Sequence, residues 1–323
     1  MLTACSDTKD YVEADEAERG ESYRCRGCKQ LVIFKAGRLR CPHFAHFPDS
    51  RCSYGAHMSP EHLEAQRLLA TALRGRGVNV TLEYDLASLA GDRRIDVLAS
   101  PPDKPKVRIA IEVQMSDITV DLIDARTTTY QTEKIAPLWL RLYNFGKWNT
   151  PKFLIDRRTI WIERHYLRAW ERWAYEQLGR TIWFMDSGTL LLWRGTFVPA
   201  HSYREHSSWY DSDGDEQSAG GYFKDISQWV ELELEGPYYA TELMLKRRRV
   251  IGKDGRQRAS ADFLVPGELS PPVAPNVRAI FAIDENDHEY RQVEVRMARA
   301  WMPARMRNAP ENWRLRQPPE TSS

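Results

Sequence analysis

From Ser59 to Gly77 the chain places leucines at positions 63, 68, 69 and 73, a spacing that lays an apolar stripe along one side of a helix. Ser59 stands where an N-cap belongs, Pro60 takes the first helical position, and Gly75 and Gly77 end the run. The period then shortens to that of strands. "NVTLEYDLA", "RRIDVLAS" and "VRIAIEVQMS" read as three strands, with "GDR" and "PPDKPK" between them. "ITVDLIDARTTTYQ" predicts a second helix and "APLWLRLY" a further strand, so the order is helix, three strands, helix, strand.

Beyond this unit, residues 158 to 200 read as a strand, a helix with Trp170, Trp173 and Leu178 near helical spacing, and two more strands. An aromatic stripe of that kind belongs to a core rather than to a base-stacking platform. "SSWYDSDGDEQSAGGY" is polar and contains glycine, which suits a linker or long loop. "WVELELE" alternates as a strand, and "VRAIFAIDENDHEYRQVEVRMA" predicts a hairpin turning near Asn286. The expected division is an acidic leader (1–20), a small module (21–56), the central α/β unit (57–145) and its extension (146–202). A linker (203–222), a mostly β accessory domain (223–309) and a disordered tail (310–323) follow.

At 323 residues the chain is long enough for two or three folding units. No uninterrupted apolar run approaches the roughly 20 residues of a membrane span, so a soluble protein with a cytoplasmic address is expected. "LTAC", ending at Cys5, imitates the cleavage end of a lipoprotein signal, but no basic and apolar stretch precedes it. A formal net charge of +1 gives no global pull towards nucleic acid. Any such binding must come from a local patch, and "KRRRVIGKDGRQR", from Lys246 to Arg258, is the basic one, read as an exposed hairpin.

Four of the five cysteines fall between Cys25 and Cys52, which points to metal rather than to a disulfide framework. Cys25 and Cys28 form a C-x-x-C knuckle, followed by a hairpin through Leu31 to Leu39 and then Cys41, His43, His46 and Cys52. Thiolate and imidazole suit tetrahedral zinc, which needs four ligands from these six. If the segment after the hairpin is a strand, His43 and His46 lie on opposite faces and need not both ligate. The selected set is Cys25, Cys28, His46 and Cys52, with His43 and Cys41 in reserve. A closed set of four makes such a zinc site structural.

Asp96 and Glu112 each sit among Ile, Val or Ala, where a carboxylate is costly unless paired or coordinating a cation. Two hard anionic oxygens across neighbouring strands form a site for magnesium or manganese, with the backbone carbonyl of Val113 a further ligand and Glu61 a third carboxylate. Glu61 also has a purely structural reason to be there, since an acidic residue in a first turn is favoured by the helix dipole. In "IAIEVQMS" alternation points Glu112 and Gln114 to the same face. Glutamine cannot act as a base at neutral pH but can orient water. Arg126 and Tyr130, four apart on the second helix, would project from one face, where an arginine fork suits phosphate.

The element order resembles the core of the restriction-endonuclease-like, PD-(D/E)XK nucleases, in which a lysine usually occupies the place of Gln114. The C-x-x-C knuckle, "HFAH" with a following cysteine, "SPEH", "RRIDVL", "IEVQMS", the Arg126–Tyr130 pair and "PLWL", in that order, resemble the CoiA-like family. The resemblance implies an α/β (α+β) protein: a zinc-finger-like amino-terminal module, an αβββαβ nuclease core and here a mostly β carboxy-terminal domain. It assigns Glu61, Asp96, Glu112 and Gln114 to the family's catalytic positions, with E-x-Q its usual form. The expected activity is magnesium-dependent hydrolysis of DNA, with a nucleic-acid-binding module on a weakened nuclease scaffold as the alternative. DNA is the expected partner, with recombination or competence proteins beside it, no membrane, and a homodimer if both strands are cut.

Overall fold

The structure, a computed structural model, describes residues 1–265 apart from 39, 53, 55–57, 88–92, 145–158, 205–206 and 220–221. The chain runs through β1 (Thr3–Ser6), β2 (Val12–Glu13), β3 (Tyr23–Arg24), β4 (Leu31–Lys35), β5 (His43–Ala45), α1 (Pro60–Arg74), β6 (Asn79–Leu86), β7 (Arg93–Ser100), β8 (Arg108–Gln114), α2 (Val120–Thr132) and β9 (Ile135–Tyr143). It continues through β10 (Thr159–Tyr166), α3 (Ala169–Leu178), β11 (Ile182–Asp186), β12 (Leu192–Arg204), β13 (Ser207–Tyr210), β14 (Glu216–Ala219), β15 (Tyr222–Tyr238), β16 (Met244–Ile251) and β17 (Gln257–Leu264).

The first five strands make an antiparallel sheet in the order β2-β1-β3-β4-β5. Its core is small. Tyr23, Phe34 and Phe44 meet at ring-centroid separations of 5.0 to 5.9 Å, in tilted arrangements that suit the aromatic quadrupole. The segment expected as an acidic leader belongs to this sheet, because β1 is buried along most of its length. Two of its acids are docking groups: Glu13 accepts two hydrogen bonds from Arg74 of α1, at 2.8 and 2.6 Å, and Asp15 two from Arg67, at 2.9 and 2.6 Å.

The second sheet has eight strands in the order β10-β15-β12-β11-β9-β8-β7-β6. β8 pairs with β9, and β9 with β11, in parallel, while its other pairings are antiparallel. Successive residues separate onto the two faces as a pleat requires. Val97, Ile109, Ile111, Val113, Leu138 and Leu140 pack with Leu63, Leu69 and Leu73 of α1. Trp139 and Phe184 pack on the opposite side with Ile123 of α2 and Trp170 of α3. Trp170 is fully buried, a core residue. The Ser59 hydroxyl accepts from the His62 N–H at 3.2 Å, closing the predicted N-cap of α1.

The expected linker and separate accessory domain are interrupted by this sheet, which takes in the end of β12 and all of β15, while β13–β14 and β16–β17 form two-stranded sheets of their own. β12 and β15 stay paired from Leu192↔Tyr238 to Arg204↔Tyr222, so the expected boundary at 222/223 falls inside a ladder. β13 and β14 form an exposed hairpin between them. The β16–β17 hairpin packs Ala261 and Phe263 into the α1-side core, and Trp183 Nε1 donates to Asp262 Oδ1 at 2.6 Å. The hairpin expected near Asn286 and the expected tail lie outside the described residues. Among the described residues no helix is long and apolar enough to cross a membrane.

Candidate active site and metal centre

The pleat of β7 breaks at Asp96. Ile95 joins a cluster with Tyr130 of α2, whereas Val97, two residues on, joins the α1-side core. Pairing of β7 with β8 runs only from Ala99↔Ile109 to Val97↔Ile111, so the strands part at Asp96. The side chain fills the gap. Its Oδ2 accepts from the Val113 N–H at 2.9 Å, in place of a ladder bond, and its Oδ1 accepts from Gln66 Nε2 of α1 at 2.7 Å, with His62 Nε2 3.4 Å away. Opposite on β6 stands Glu83, fully buried, with a left-handed φ of 47°. The Thr3 N–H and hydroxyl donate to its carboxylate at 3.0 and 2.7 Å.

Glu112 points away from Ile111 and Val113, as alternation predicts, and that face is the α2 side. Tyr130 donates to its Oε1 at 2.6 Å, and Arg126 forms an ion pair with its Oε2. The predicted Arg126–Tyr130 face therefore meets Glu112, and the Arg126 guanidinium also lies 5.2 Å from the Trp139 ring centre. Burial pushes the Glu112 carboxyl up; Arg126 opposes this and Asp96 adds to it, leaving it at about 7. Burial acts on Asp96 in the same direction, but His62, Arg126 and the Val113 N–H more than offset it and hold that carboxyl below its ordinary value. Two carboxylates on adjacent strands with acidities driven apart make this a candidate functional site. Gln114 donates to the Ser116 carbonyl at 2.7 Å, fixing its amide at the end of β8. Glu61 is half-buried in the first turn of α1 and falls outside the Asp96 and Glu112 contacts.

Sequence reasoning missed His62, Gln66 and Glu83. For Gln66 a signal exists: a polar residue interrupts the stripe Leu63, Leu69, Leu73. For Glu83 there is none without the fold.

The asymmetry has a measurable consequence for stability. Folded Glu112 titrates near 7 against an ordinary 4.5, so the folded chain holds a proton that the unfolded chain releases between those values. This contribution is complete below pH 4.5 and disappears as pH rises through 7. In magnesium-free, zinc-replete buffer, urea unfolding should show stability falling by on the order of 2 to 3 kcal/mol between pH 5 and 8. In Glu112→Gln the curve should flatten; an equally steep curve in that variant would refute the assignment.

In the amino-terminal sheet Cys25, Cys28, His46 and Cys52 bring their ligand atoms within 4.8 Å of one another. Cys28 Sγ and His46 Nε2 are 3.5 Å apart, matching the roughly 3.5 to 3.6 Å between a sulfur and a nitrogen ligand on a tetrahedral zinc. The knuckle is closed by Lys29 at a φ of 60°, whose N–H donates to the Cys25 carbonyl at 2.9 Å. A Cβ on Gly27 would stand 2.7 Å from the Tyr54 ring, so only glycine lets the knuckle close over that ring. His43 Nδ1 lies 2.9 Å from the Cys41 carbonyl and, like Cys41, stays outside the cluster. Burial pushes the Cys25 thiol up to about 11, so that thiolate needs a counter-charge such as zinc.

A Cys3His cluster that could hold zinc thus lies in a small module joined to a mixed α/β domain that buries two carboxylates on adjacent strands. The profile of the CoiA N-terminal domain matches residues 6–55, and that of the CoiA nuclease-like domain residues 59–189. Together they span more than half of the chain, which belongs to the CoiA-like family. Competence protein CoiA of Bacillus subtilis (strain 168) is 29% identical over 123 residues, 37% of this chain and 31% of that protein. The match thus spans under a third of the relative's length. A crystal structure of a protein of unknown function, 17% identical over 27% of this chain and 50% of that one, has a TM-score of 0.21, too low to bear on the fold.

Proposed function

We propose that the protein is a metal-dependent DNA nuclease of the CoiA-like type, its α1–β6–β7–β8–α2–β9 run a restriction-endonuclease-like core. The observation that carries this is the Asp96–Glu112 pair, buried on adjacent strands where β7 and β8 part. The donor chemistry fits a hard divalent cation: the two buried carboxylates and the Val113 carbonyl are all oxygen donors. Magnesium or manganese held there would polarise the phosphate and make a water more acidic. Gln114 orients that water through its carboxamide, Arg126 and Tyr130 position Glu112, and the guanidinium of Arg126 binds a phosphate oxygen. Metal-depleted, zinc-loaded protein should gain cleavage of supercoiled, linear, single-stranded or branched DNA when magnesium or manganese is added.

One observation favours a nucleic-acid-binding module on a weakened scaffold: both oxygens of Glu112 already have partners in Arg126 and Tyr130. That reading predicts DNA affinity indifferent to magnesium and no cleavage with any metal.

Backbone affinity is assigned to the β16 edge strand, though not through all of its cations. Arg248 turns inward, paired with Asp262 at 2.8 Å and donating to the Leu178 carbonyl at 3.3 Å, and Arg258 is held by Asp254 at 2.6 Å. Lys246, Arg247 and Arg249 are exposed. The double variant Arg247→Ala/Arg249→Ala should weaken DNA binding and reduce the slope of log affinity against log salt by about 1 to 2. Arg248→Ala should instead lower the melting temperature. An unchanged slope in the double variant would remove the hairpin from the interface.

A further inference from the structure

α1 buries a polar side chain in the middle of its apolar stripe. Gln66 has no exposed surface and lies among Leu63, Leu69 and Leu73, in the core shared with β7 and β8. A buried carboxamide offers two N–H groups and one oxygen, each of which needs a partner. The nitrogen has one in Asp96: Nε2 donates to Oδ1 at 2.7 Å, and Nε2 of His62, one turn earlier on α1, lies 2.6 Å away. Among the described residues the oxygen has none.

The orientation of the amide is set by the carboxylate. Turned over, the carboxamide would face an oxygen to Asp96 Oδ1, two acceptors in contact, so the N–H faces Asp96 and Oε1 is the atom left over. Nitrogen and oxygen share one carbon, so Oε1 is held in the immediate surroundings of Asp96. A buried carbonyl oxygen without a partner is destabilising unless a ligand completes it. Beside a buried carboxylate, a neutral oxygen of this kind is what a hard divalent cation takes as an additional ligand.

We propose that Gln66 Oε1 is a direct ligand of the divalent cation at the Asp96–Glu112 site, with the amide anchored through its nitrogen on Asp96. This rests on the nuclease reading and adds a donor from α1 to it. Asp96 thus has two tasks, to bind the cation and to fix the amide that binds it.

The test is titration of manganese into the full-length, zinc-loaded chain, followed by the electron paramagnetic resonance signal of the free ion. Wild type should bind manganese and Asp96→Ala should not. Gln66→Met, close in volume and lacking the oxygen, should bind at least tenfold more weakly, whereas Gln66→Glu, which keeps the shape and adds charge, should bind more tightly. Wild-type affinity in Gln66→Met beside loss in Asp96→Ala overturns the proposal and leaves the nuclease reading intact. No manganese bound by wild type overturns both. If Gln66→Met does not fold, Gln66→Glu decides: tighter binding supports the assignment, and equal or weaker binding overturns it.

Discussion

Alanine at Asp96 is expected to abolish metal-dependent DNA cleavage, a loss on the order of 10³-fold or more, while gel-shift affinity for the same DNA stays near that of the parent. The carboxylate is the hinge of the site. It accepts from Gln66 and from the Val113 N–H, and it occupies the gap opened where β7 leaves β8. Truncation removes the proposed cation ligand and also strands those two buried donors, at about 1 to 3 kcal/mol. Asp96→Asn separates the two effects, because an amide refills the gap and keeps an acceptor but carries no charge. Glu112→Gln should behave alike, with Tyr130 still able to donate to the amide oxygen. Nicking of supercoiled plasmid, read beside the melting temperature of each variant, is the measurement. Asn and Gln variants that cut at the parental rate would sink the assignment of both carboxylates. Parental protein that binds but never cuts would move the protein to the weakened-scaffold reading.

How much of this arrangement could be read from residues alone depended on whether the signal was local. α1 announced itself through its cap, its proline and its leucine spacing, and the three following strands through their alternation, because each is fixed by neighbours within one turn or one pleat. The acids of the first twenty residues looked like a solvated leader because their partners, Arg67 and Arg74, lie more than fifty residues away. The β13–β14 hairpin is exposed on both faces, so no apolar alternation marks it, and its polar composition imitates a linker. Its flanking strands β12 and β15 pair with each other across it, and that pairing is non-local by construction.

The site divides the same way. Glu112 stood out because a charge in an apolar strand needs a partner, and its placement on the α2 side followed from the period of two. Asp96 stood out for the same reason, but the direction of its side chain did not follow, since β7 abandons its alternation there. The companion distortion, a left-handed glutamate at position 83, is sustained by bonds from Thr3 in the other sheet. Nothing in "TLEYD" foretells it. The surroundings of Asp96 thus rest partly on strain that the two sheets hold together.

That dependence gives the second large effect. Removing one of the four candidate ligands by Cys25→Ser, or stripping the cluster with a strong chelator, is expected to unfold the amino-terminal sheet and to loosen the central one with it. The five-stranded sheet has only a small aromatic core to stabilise it, whereas structural zinc in comparable modules contributes an apparent 10 to 16 kcal/mol or so of folding free energy. The coupling runs through residues next to the ligands. Arg26, adjacent to Cys25, pairs with Asp85 at 2.7 Å and donates to the Glu83 carbonyl at 2.8 Å; Tyr54, two residues past Cys52, donates to Asp85 at 2.9 Å. All of these acceptors are on β6, beside Asp96's strand. The parent should carry a single tightly bound zinc by native mass spectrometry, with backbone amides of β1, β3 and β4 protected from hydrogen exchange. In Cys25→Ser the zinc should be lost, those amides should exchange within seconds, and protection in β6 should fall as well. Full zinc occupancy with parental exchange in that variant would exclude the cluster as a structural site. Loss of zinc with β6 unchanged would mean that the two sheets fold independently, and that the strained Glu83 is held by the central sheet alone.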